Sequence, residues 1–339
     1  MRLIMKNTLI LLICFMLFSA SVFSQTKTGT TIGQFLLIEP SARIASMGNA
    51  GASLHDEIFA AYYNPGAIGH FTGYEMAFTH SMWLADINYD YAGVAINAES
   101  FGNLYASVTS LNSGEMDVRT VDQPLGTGER YTVSDIAIGI GYGKQISDRF
   151  SVGLQINYIQ ETIWHTSLNT FGLNIGTIYQ LSDDGLNIGA SISNFGFPAK
   201  YSGQDLRIRY DQNQNTNGDN SNLPGELFTE EYPLPVFLRV GLSMPWKIGT
   251  TSIVKVAVDA FHPSDNTESI SMGAEWMFKN LFAVRAGYQN LFQQDSEVGL
   301  TLGAGLLYEV GGYNFQFDYA WADFGRLKDT QRLTLGVSF

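Results

Sequence analysis

An alternation of apolar and polar side chains runs through most of the chain and limits the folds open to it. In residues 150–158, apolar side chains at even positions alternate with Ser, Gly, Gln and Asn at odd positions. The same period of two recurs in 186–193, 236–244, 298–308 and 313–321. Successive side chains of a β-strand point to opposite faces, so this pattern predicts strands with one apolar and one polar face.

Fourteen stretches carry this alternation, and we predict a strand in each. Many have the roughly nine to eleven residues that a tilted strand needs to cross a bilayer. A soluble β-sandwich would show the same alternation, so the pattern alone does not choose between the two. The predicted strands are 74–80, 87–97, 102–111, 131–144, 150–161, 166–180, 186–194, 235–244, 252–261, 269–278, 281–289, 297–309, 313–321 and 331–339.

The lengths of the connections favour a barrel. With the N-terminus in the periplasm, the connections after odd-numbered strands face outward and include the two longest, 112–130 and 195–234. Those after even-numbered strands are all short. Short periplasmic turns with longer outer loops are typical of outer-membrane barrels. We therefore predict an all-β fold, a transmembrane antiparallel β-barrel of about 14 strands over residues 74–339.

Composition argues against several other classes of protein. The mean hydropathy of +0.01 is too low for a bundle of membrane helices. The net charge of −13 argues against a nucleic-acid partner, which needs basic patches. The five histidines lie far apart, and neither a nucleophile elbow nor a Walker sequence is present. We therefore expect no enzyme, no metal site and no cofactor.

Both chain ends have features of an exported barrel. In residues 1–24, two basic residues precede an apolar stretch, and small residues follow up to a cleavage site near Ser24-Gln25, as in a signal peptide. The last strand ends on an aromatic residue, like the terminal signal that outer-membrane barrel insertion machinery recognises; its residues are Leu335, Val337 and Phe339. We expect a multi-pass protein surrounded by outer-membrane lipid.

Residues 25–73 lack the alternation and are rich in small residues. A barrel of fourteen strands encloses a lumen too wide for strand side chains alone to fill. We therefore predict that this segment is a hatch or plug inside the barrel, with a short helix over 54–63 capped by Ser53. The alternative is a soluble periplasmic extension.

Several charged residues share the parity of the polar strand faces. A charge facing lipid at the midplane costs about 2–4 kcal/mol, so these should face the lumen. One possibility is a ladder of ion pairs that packs the barrel and docks the plug, with Glu39, Arg43, Asp56 and Glu57 as partners; the other is a polar track for a solute. The ladder residues are Arg239, Lys255, Asp259, Glu275 and Arg285.

The longest outer loop has a polar, low-complexity tip at 211–222 between flanks that carry apolar residues. Such a loop is either a partner-binding surface or a cover folded over the barrel mouth. The candidate partner-binding residues are Phe197, Tyr201, Leu223, Phe228 and Tyr232.

Two short motifs carry a resemblance to a known family. Residues 33–50 contain Ser-Ala-Arg and then Met-Gly, and residues 60–66 place Asn-Pro-Gly after two tyrosines. These motifs resemble the opening of the PorV/PorQ family, and the second is also seen in FadL-like barrels. The resemblance implies a fourteen-stranded barrel with an N-terminal hatch whose motif residues are Ser41, Ala42, Arg43, Met47, Gly48, Asn64, Pro65 and Gly66.

The resemblance also implies a function. PorV/PorQ proteins belong to the type IX secretion system of Bacteroidetes, so we first predict a barrel that binds or shuttles secreted cargo at the cell surface. Its partners would be secretion components or the C-terminal domains of cargo. FadL-like members conduct hydrophobic small molecules, which gives an alternative that would need an apolar pocket between hatch and wall and a lateral opening. A structural outer-membrane barrel is the third possibility.

Overall fold

The structure, a computed structural model of the full chain, describes residues 27–211, 222–293 and 296–339. The predicted signal peptide lies outside the described residues. Fourteen long strands each pair antiparallel with the next, and β14 pairs with β1, so the sheet is a closed barrel. The strands are β1 Tyr74–Met82, β2 Asn88–Asn97, β3 Asn103–Asp117, β4 Arg130–Ser147, β5 Phe150–Ile163, β6 Thr166–Gln180, β7 Asn187–Gly196, β8 Phe237–Ile248, β9 Ser252–Pro263, β10 Ser269–Phe278, β11 Phe282–Leu291, β12 Leu300–Val310, β13 Tyr313–Asp323 and β14 Asp329–Ser338.

The prediction of an all-β barrel with fourteen strands is confirmed. The largest difference in a strand boundary is in the hairpin of β3 and β4, where β3 continues past residue 111 to Asp117. The backbones stay paired there after a bulge, with Asp117 opposite Arg130, although the side chains no longer alternate. The connections alternate as expected, with the long ones 118–129 and 197–236 after odd-numbered strands.

The remaining regular elements are short. Helix α1 is Ala42–Ala45 and helix α2 is Ala60–Tyr63. No helix in the described part of the chain is long and apolar enough to cross a membrane. The short 3-10 helices are Gln34–Leu37, Pro65–His70, Leu84–Asp86, Glu99–Phe101, Gln204–Leu206 and Gly325–Leu327. The short strands of the long outer loop are Ser202–Gly203, which pairs with the start of β6, and Arg207–Tyr210 and Leu223–Glu226, which pair with each other.

The predicted helix over 54–63 is wrong except for its last turn, which is α2. Ser53 caps no helix. The chain before α2 instead follows the inside of the wall, where Ala52 N donates to the Asp259 carboxylate and Ala52 O accepts from Asn64 Nδ2. These long-range hydrogen bonds replace the local ones that a helix would make.

Burial in the strands is the reverse of that in a soluble protein. In β5, Leu154 and Ile156 are exposed, whereas their neighbours Gln155 and Asn157 are buried. Outward-facing side chains of the other strands are likewise mostly apolar. The barrel therefore has an apolar outer surface and a polar interior.

The N-terminal segment, residues 27–73, lies inside this barrel and packs on inward-facing glycines of the wall. A Cβ on one of these glycines would meet the backbone of the segment: at Gly273 it would overlap the Met47 carbonyl oxygen, and at Gly153 the Pro65 carbonyl oxygen. Glycine is needed here because it lets two backbones approach each other. The other wall glycines in such contact are Gly143, Gly189 and Gly287.

This close packing predicts that Gly273→Ala destabilises the barrel. The added methyl group overlaps a backbone oxygen and forces a shift, which typically costs about 1–3 kcal/mol. Gly336→Ala is the matched control, because its Cβ would find no atom closer than 3.5 Å. The unfolding midpoint of each variant in detergent checks this, and equal midpoints would contradict the close contact.

Candidate functional site

The first N-terminal motif attaches the segment to strands β12 and β14. Ser41 caps α1 through its hydroxyl group. Ala42 N donates to Thr334 Oγ1 of β14 at 3.1 Å, and Gly48 N donates to Thr301 Oγ1 of β12 at 3.0 Å. Backbone donors of the motif are therefore satisfied by threonines of the wall.

The second motif joins two parts of the segment to strand β6. Asn64 Nδ2 donates to the carbonyl oxygens of Ala52 at 2.6 Å and of Thr177 in β6 at 2.9 Å. Asn64 Oδ1 accepts from Gly66 N at 2.9 Å, which fixes the turn through Pro65. An asparagine supplies both the donor and the acceptor that this position uses.

A buried network of four charged groups connects the segment to the wall. Arg43 donates two hydrogen bonds of 2.7 Å to Glu275 of β10. Arg285 of β11 donates to the same carboxylate at 2.6 Å and to Asp318 of β13 at 2.6 Å. Arg43 also pairs with the partly exposed Asp56 at 2.9 Å. Each buried charge in this network therefore faces an opposite one.

The other predicted ladder residues also contact the segment. Lys255 of β9 pairs with Asp56. Arg239 of β8 donates to Glu39 at 2.7 Å, and Asp259 of β9 accepts from a backbone N–H of the segment at 2.7 Å. All five ladder residues thus point into the barrel.

The expected ladder between neighbouring strands is present only in part. Among the described residues, Glu275–Arg285 is the one ion pair that links two adjacent strands within this set. Lys255 lies opposite Glu275 in the sheet register but pairs with Asp56 of the segment. The charges of this set therefore mainly hold the segment.

An inner cavity of about 250 Å³ remains between the segment and the wall, near the outer loops. Leu36, Leu37 and Tyr62 of the segment line it, as do Phe237 and Phe261, whose rings stack at 5.4 Å. The lining is mixed and not the purely apolar one that a FadL-like channel was expected to need. Its uncharged polar residues include Ser107, Thr109, Gln155, Asn157, Asn174, Ser193, Asn194, Ser269, Gln289 and Asn290.

Two strands of the wall bulge at this cavity. In β11 the pairing shifts by one residue at Gln289 and Asn290, and in β7 it shifts by one residue at Ser193 and Asn194. Both asparagines have positive φ angles, of 56° and 61° respectively. Bulges often lie beside functional sites because they interrupt the sheet and redirect side chains.

An outer groove of about 410 Å³ lies on the outward face of β8, β9 and β10. Its lining is almost entirely apolar and includes Leu238, Val240 and Ile270. Phe261 and Ser269 line both this groove and the inner cavity. One layer of wall therefore separates the two spaces at this point.

The five candidate residues of the long outer loop are not all exposed. Phe197 and Phe228 have exposed fractions of 75% and 85%, and Tyr232 and Leu223 are about half as exposed. Tyr201 turns inward, and its hydroxyl donates to Glu161 at 2.7 Å. Within the polar tip, residues 212–221 lie outside the described residues.

Asp205 anchors this loop to the β5–β6 turn. Its carboxylate accepts hydrogen bonds from His165 N at 3.0 Å and Thr166 Oγ1 at 3.2 Å and lies 3.1 Å from His165 Nδ1. Desolvation alone would raise the pKa of the Asp205 carboxyl, but these hydrogen bonds outweigh it and hold that pKa below its usual value. The anchor is therefore strongest above the usual carboxyl pKa and is lost as pH falls through the lowered one.

The C-terminal residues close the barrel. Phe339 exchanges backbone hydrogen bonds with Tyr74 at 2.9 Å, and the two rings stack. Leu335 and Val337 lie outward on β14, in the pair with β1. Recognition of these residues by insertion machinery stays a prediction.

Sequence reasoning missed the residues of the inner cavity. Gln155 and Asn157 stood out only as members of a polar strand face, and the bulge residues Asn194 and Asn290 were not singled out. The available signal was the cluster of carboxamides at inward positions of neighbouring strands β5, β6 and β7.

Among the described residues, no group of three or more His, Cys, Asp or Glu side chains is arranged to hold a metal ion.

Comparison with solved structures supports the fold. The toluene transporter TodX of Pseudomonas putida superimposes with a TM-score of 0.56 at 12% identity, over 89% of this chain and 98% of that chain. The toluene transporter TbuX of Ralstonia pickettii gives 0.54 at 12%, over 88% and 97%. A FadL homologue of Pseudomonas aeruginosa gives 0.54 at 9%, over 93% and 99%. This chain therefore has the fold of FadL-type barrels.

Sequence comparisons add nothing to this, because no family model and no curated protein matches the chain. None of the three structures named above is a secretion component, so they give no support to the PorV/PorQ assignment.

The buried charge network predicts that Glu275→Gln loosens the N-terminal segment. The change removes the negative charge that Arg43 and Arg285 share, although Arg43 keeps Asp56 and Arg285 keeps Asp318; breaking a buried ion pair typically costs about 3–5 kcal/mol. Glu115→Gln is the matched control, because Glu115 pairs with Arg130 on an exposed hairpin and the midpoint should not move. Chemical unfolding in detergent measures both, and an unchanged midpoint for Glu275→Gln would refute the anchoring role.

Proposed function

We propose that this protein is an outer-membrane channel that lets small hydrophobic molecules pass from the inner cavity through the wall. The observation that carries the proposal is that Phe261 and Ser269 line both the inner cavity and the apolar outer groove. A molecule in the cavity is separated from the lipid-facing groove only by this part of the wall.

The outer surface supports a membrane location. Its outward side chains are mostly apolar, and exposed aromatic residues cluster near the short-turn ends of the strands. Aromatic girdles of this kind lie at the membrane interfaces of outer-membrane barrels. The aromatic residues at this end are Tyr74, Tyr179, Trp246, Tyr308 and Tyr313.

The packing of the wall supports a lateral route. Ser269 lies opposite Phe261 in the pair of β9 and β10, and the bulge in β11 lies beside the start of β10. Fewer regular hydrogen bonds hold the sheet at a bulge than elsewhere. A small rearrangement there would join the cavity to the groove without unfolding the barrel.

The type IX secretion role has no comparable observation behind it. The exposed Phe197 and Phe228 would suit a partner protein, but exposed aromatic rings near a bilayer also suit lipid. Crosslinking in native outer membranes, followed by mass spectrometry, separates the two functions. Recovery of secretion components or of proteins with a shared C-terminal domain would favour secretion over a channel.

The channel proposal predicts that Ser269→Phe reduces uptake. The larger ring fills the wall position shared by cavity and groove, so we expect uptake to fall toward the level of cells without the protein. The measurement is uptake of radiolabelled hydrophobic molecules, toluene and p-cresol among them, by cells that produce the protein.

Met272→Phe on the same strand is the control. Met272 faces outward, so a phenylalanine there changes only the lipid-facing surface. Both variants should reach the outer membrane in equal amounts. If cells with the Ser269→Phe variant take up every probe as fast as cells with the unchanged protein, the proposed route through this part of the wall is wrong.

A further inference from the structure

Each charged group that lines the inner cavity has at least one partner, whereas Nε and Nη1 of Arg239 have no hydrogen-bond partner among the described residues and lie beside the Phe237 and Phe261 rings. Arg239 pairs with Glu39 at 2.7 Å, and Asp265 accepts hydrogen bonds of 2.8 Å from Thr31 and Gln34. One positive and two negative groups give the lining a net charge of −1. An anionic ligand would therefore meet a lining of net negative charge, in which the one described cation, Arg239, is already paired with Glu39.

Several uncharged polar groups of the cavity lining have no hydrogen-bond partner among the described residues. Asn157 is 7% exposed, lines the cavity, and its carboxamide has no hydrogen-bond partner among the described residues. Asn174 uses Oδ1 to accept from Asn194 N at 2.7 Å, and the described chain offers no partner for its Nδ2. Ser193, at the β7 bulge, likewise has a hydroxyl without a partner in the described residues. A buried cluster of donors and acceptors is thus left open on β5, β6 and β7.

These open groups disfavour a pure hydrocarbon. A ligand that enters displaces solvent from them, and a buried polar group left unpaired costs about 1–3 kcal/mol. Carboxamides and hydroxyls each donate and accept, so they suit a ligand group that does both. A hydroxyl group on the ligand meets that requirement without carrying charge.

The rest of the cavity suits a single ring. Tyr62 and Tyr91 meet edge to face at 5.4 Å, and Phe237 stacks on Phe261. The volume of about 250 Å³ is below the range of about 300–1,000 Å³ that drug-sized ligands occupy. Aromatic walls on a small cavity favour a flat ring in contact with them.

We infer that the inner cavity selects uncharged, ring-sized molecules that carry a hydroxyl group, which Asn157, Asn174 and Ser193 bind while the aromatic side chains contact the ring. This inference rests on the proposed channel and names its substrate class. It separates this chain from a channel that takes unsubstituted hydrocarbons.

Four probes with the same methylated ring test the inference. Toluene carries no polar group, p-cresol a hydroxyl, p-toluate a carboxylate and 4-methylbenzylammonium an ammonium. Each is titrated by calorimetry into the purified full-length barrel in detergent, with empty micelles as reference. We expect p-cresol to bind about tenfold more tightly than any other probe, as one or two well-made hydrogen bonds allow.

Variants show whether the named residues are responsible. Asn157→Leu should weaken the binding of p-cresol about tenfold. It should leave the binding of toluene unchanged or make it tighter, because the amide is replaced by an apolar group of similar size. Asn169→Leu, an exposed position on β6, is the control and should bind like the unchanged protein. Ser193→Ala is a second, smaller change for the case that Asn157→Leu does not fold. It should also weaken the binding of p-cresol.

Some results would overturn the inference while leaving the channel intact. Toluene bound as tightly as p-cresol, or a charged probe bound most tightly, contradicts the substrate class. An equal loss of affinity for all four probes in Asn157→Leu also contradicts it. By contrast, failure of the proposed channel appears as uptake of every probe by producing cells no faster than by cells without the protein.

Discussion

A closed sheet of fourteen strands encloses more space than its own inward side chains fill, and the other features of the structure depend on how that space is occupied. The N-terminal segment fills it by direct backbone contact with wall glycines and through the carboxylate of Glu275, which binds Arg43 of the segment and Arg285 of the wall. Filling is incomplete at both ends: the inner cavity remains near the outer loops, and a space of about 740 Å³ remains at the short-turn end between residues 53–56 and the wall.

The strands were predictable because an inside-out barrel obeys the same period of two as any sheet with two unlike faces. The inward direction of Arg239 and Glu275 followed from parity alone. Glu39 and Arg43 were expected among their partners, but which charge pairs with which was not, because the two residues lie about 200 or more positions away in a segment without periodicity. The helix over 54–63 failed for the same reason: Ala52 and Asn64 bond to each other and to the wall.

The cavity was the least predictable part. It is the space left between the N-terminal segment and the barrel wall. Its lining therefore comes from residues that no sequence motif groups together, such as Asn157 on β5 and Asn290 at a bulge. Its mixed chemistry matters for function, since an apolar groove outside and unpaired carboxamides inside suit a molecule with an apolar body and one polar group. The fold shared with toluene transporters does not by itself specify that chemistry.

The most direct test of the central claim is a crystal structure of the full barrel grown with 4-bromophenol, with bromine located by anomalous diffraction. We expect a bromine site in the inner cavity, beside Phe261 and within reach of the carboxamide of Asn157. Bromine found only on the lipid-facing surface, with none between the N-terminal segment and the wall, would contradict it.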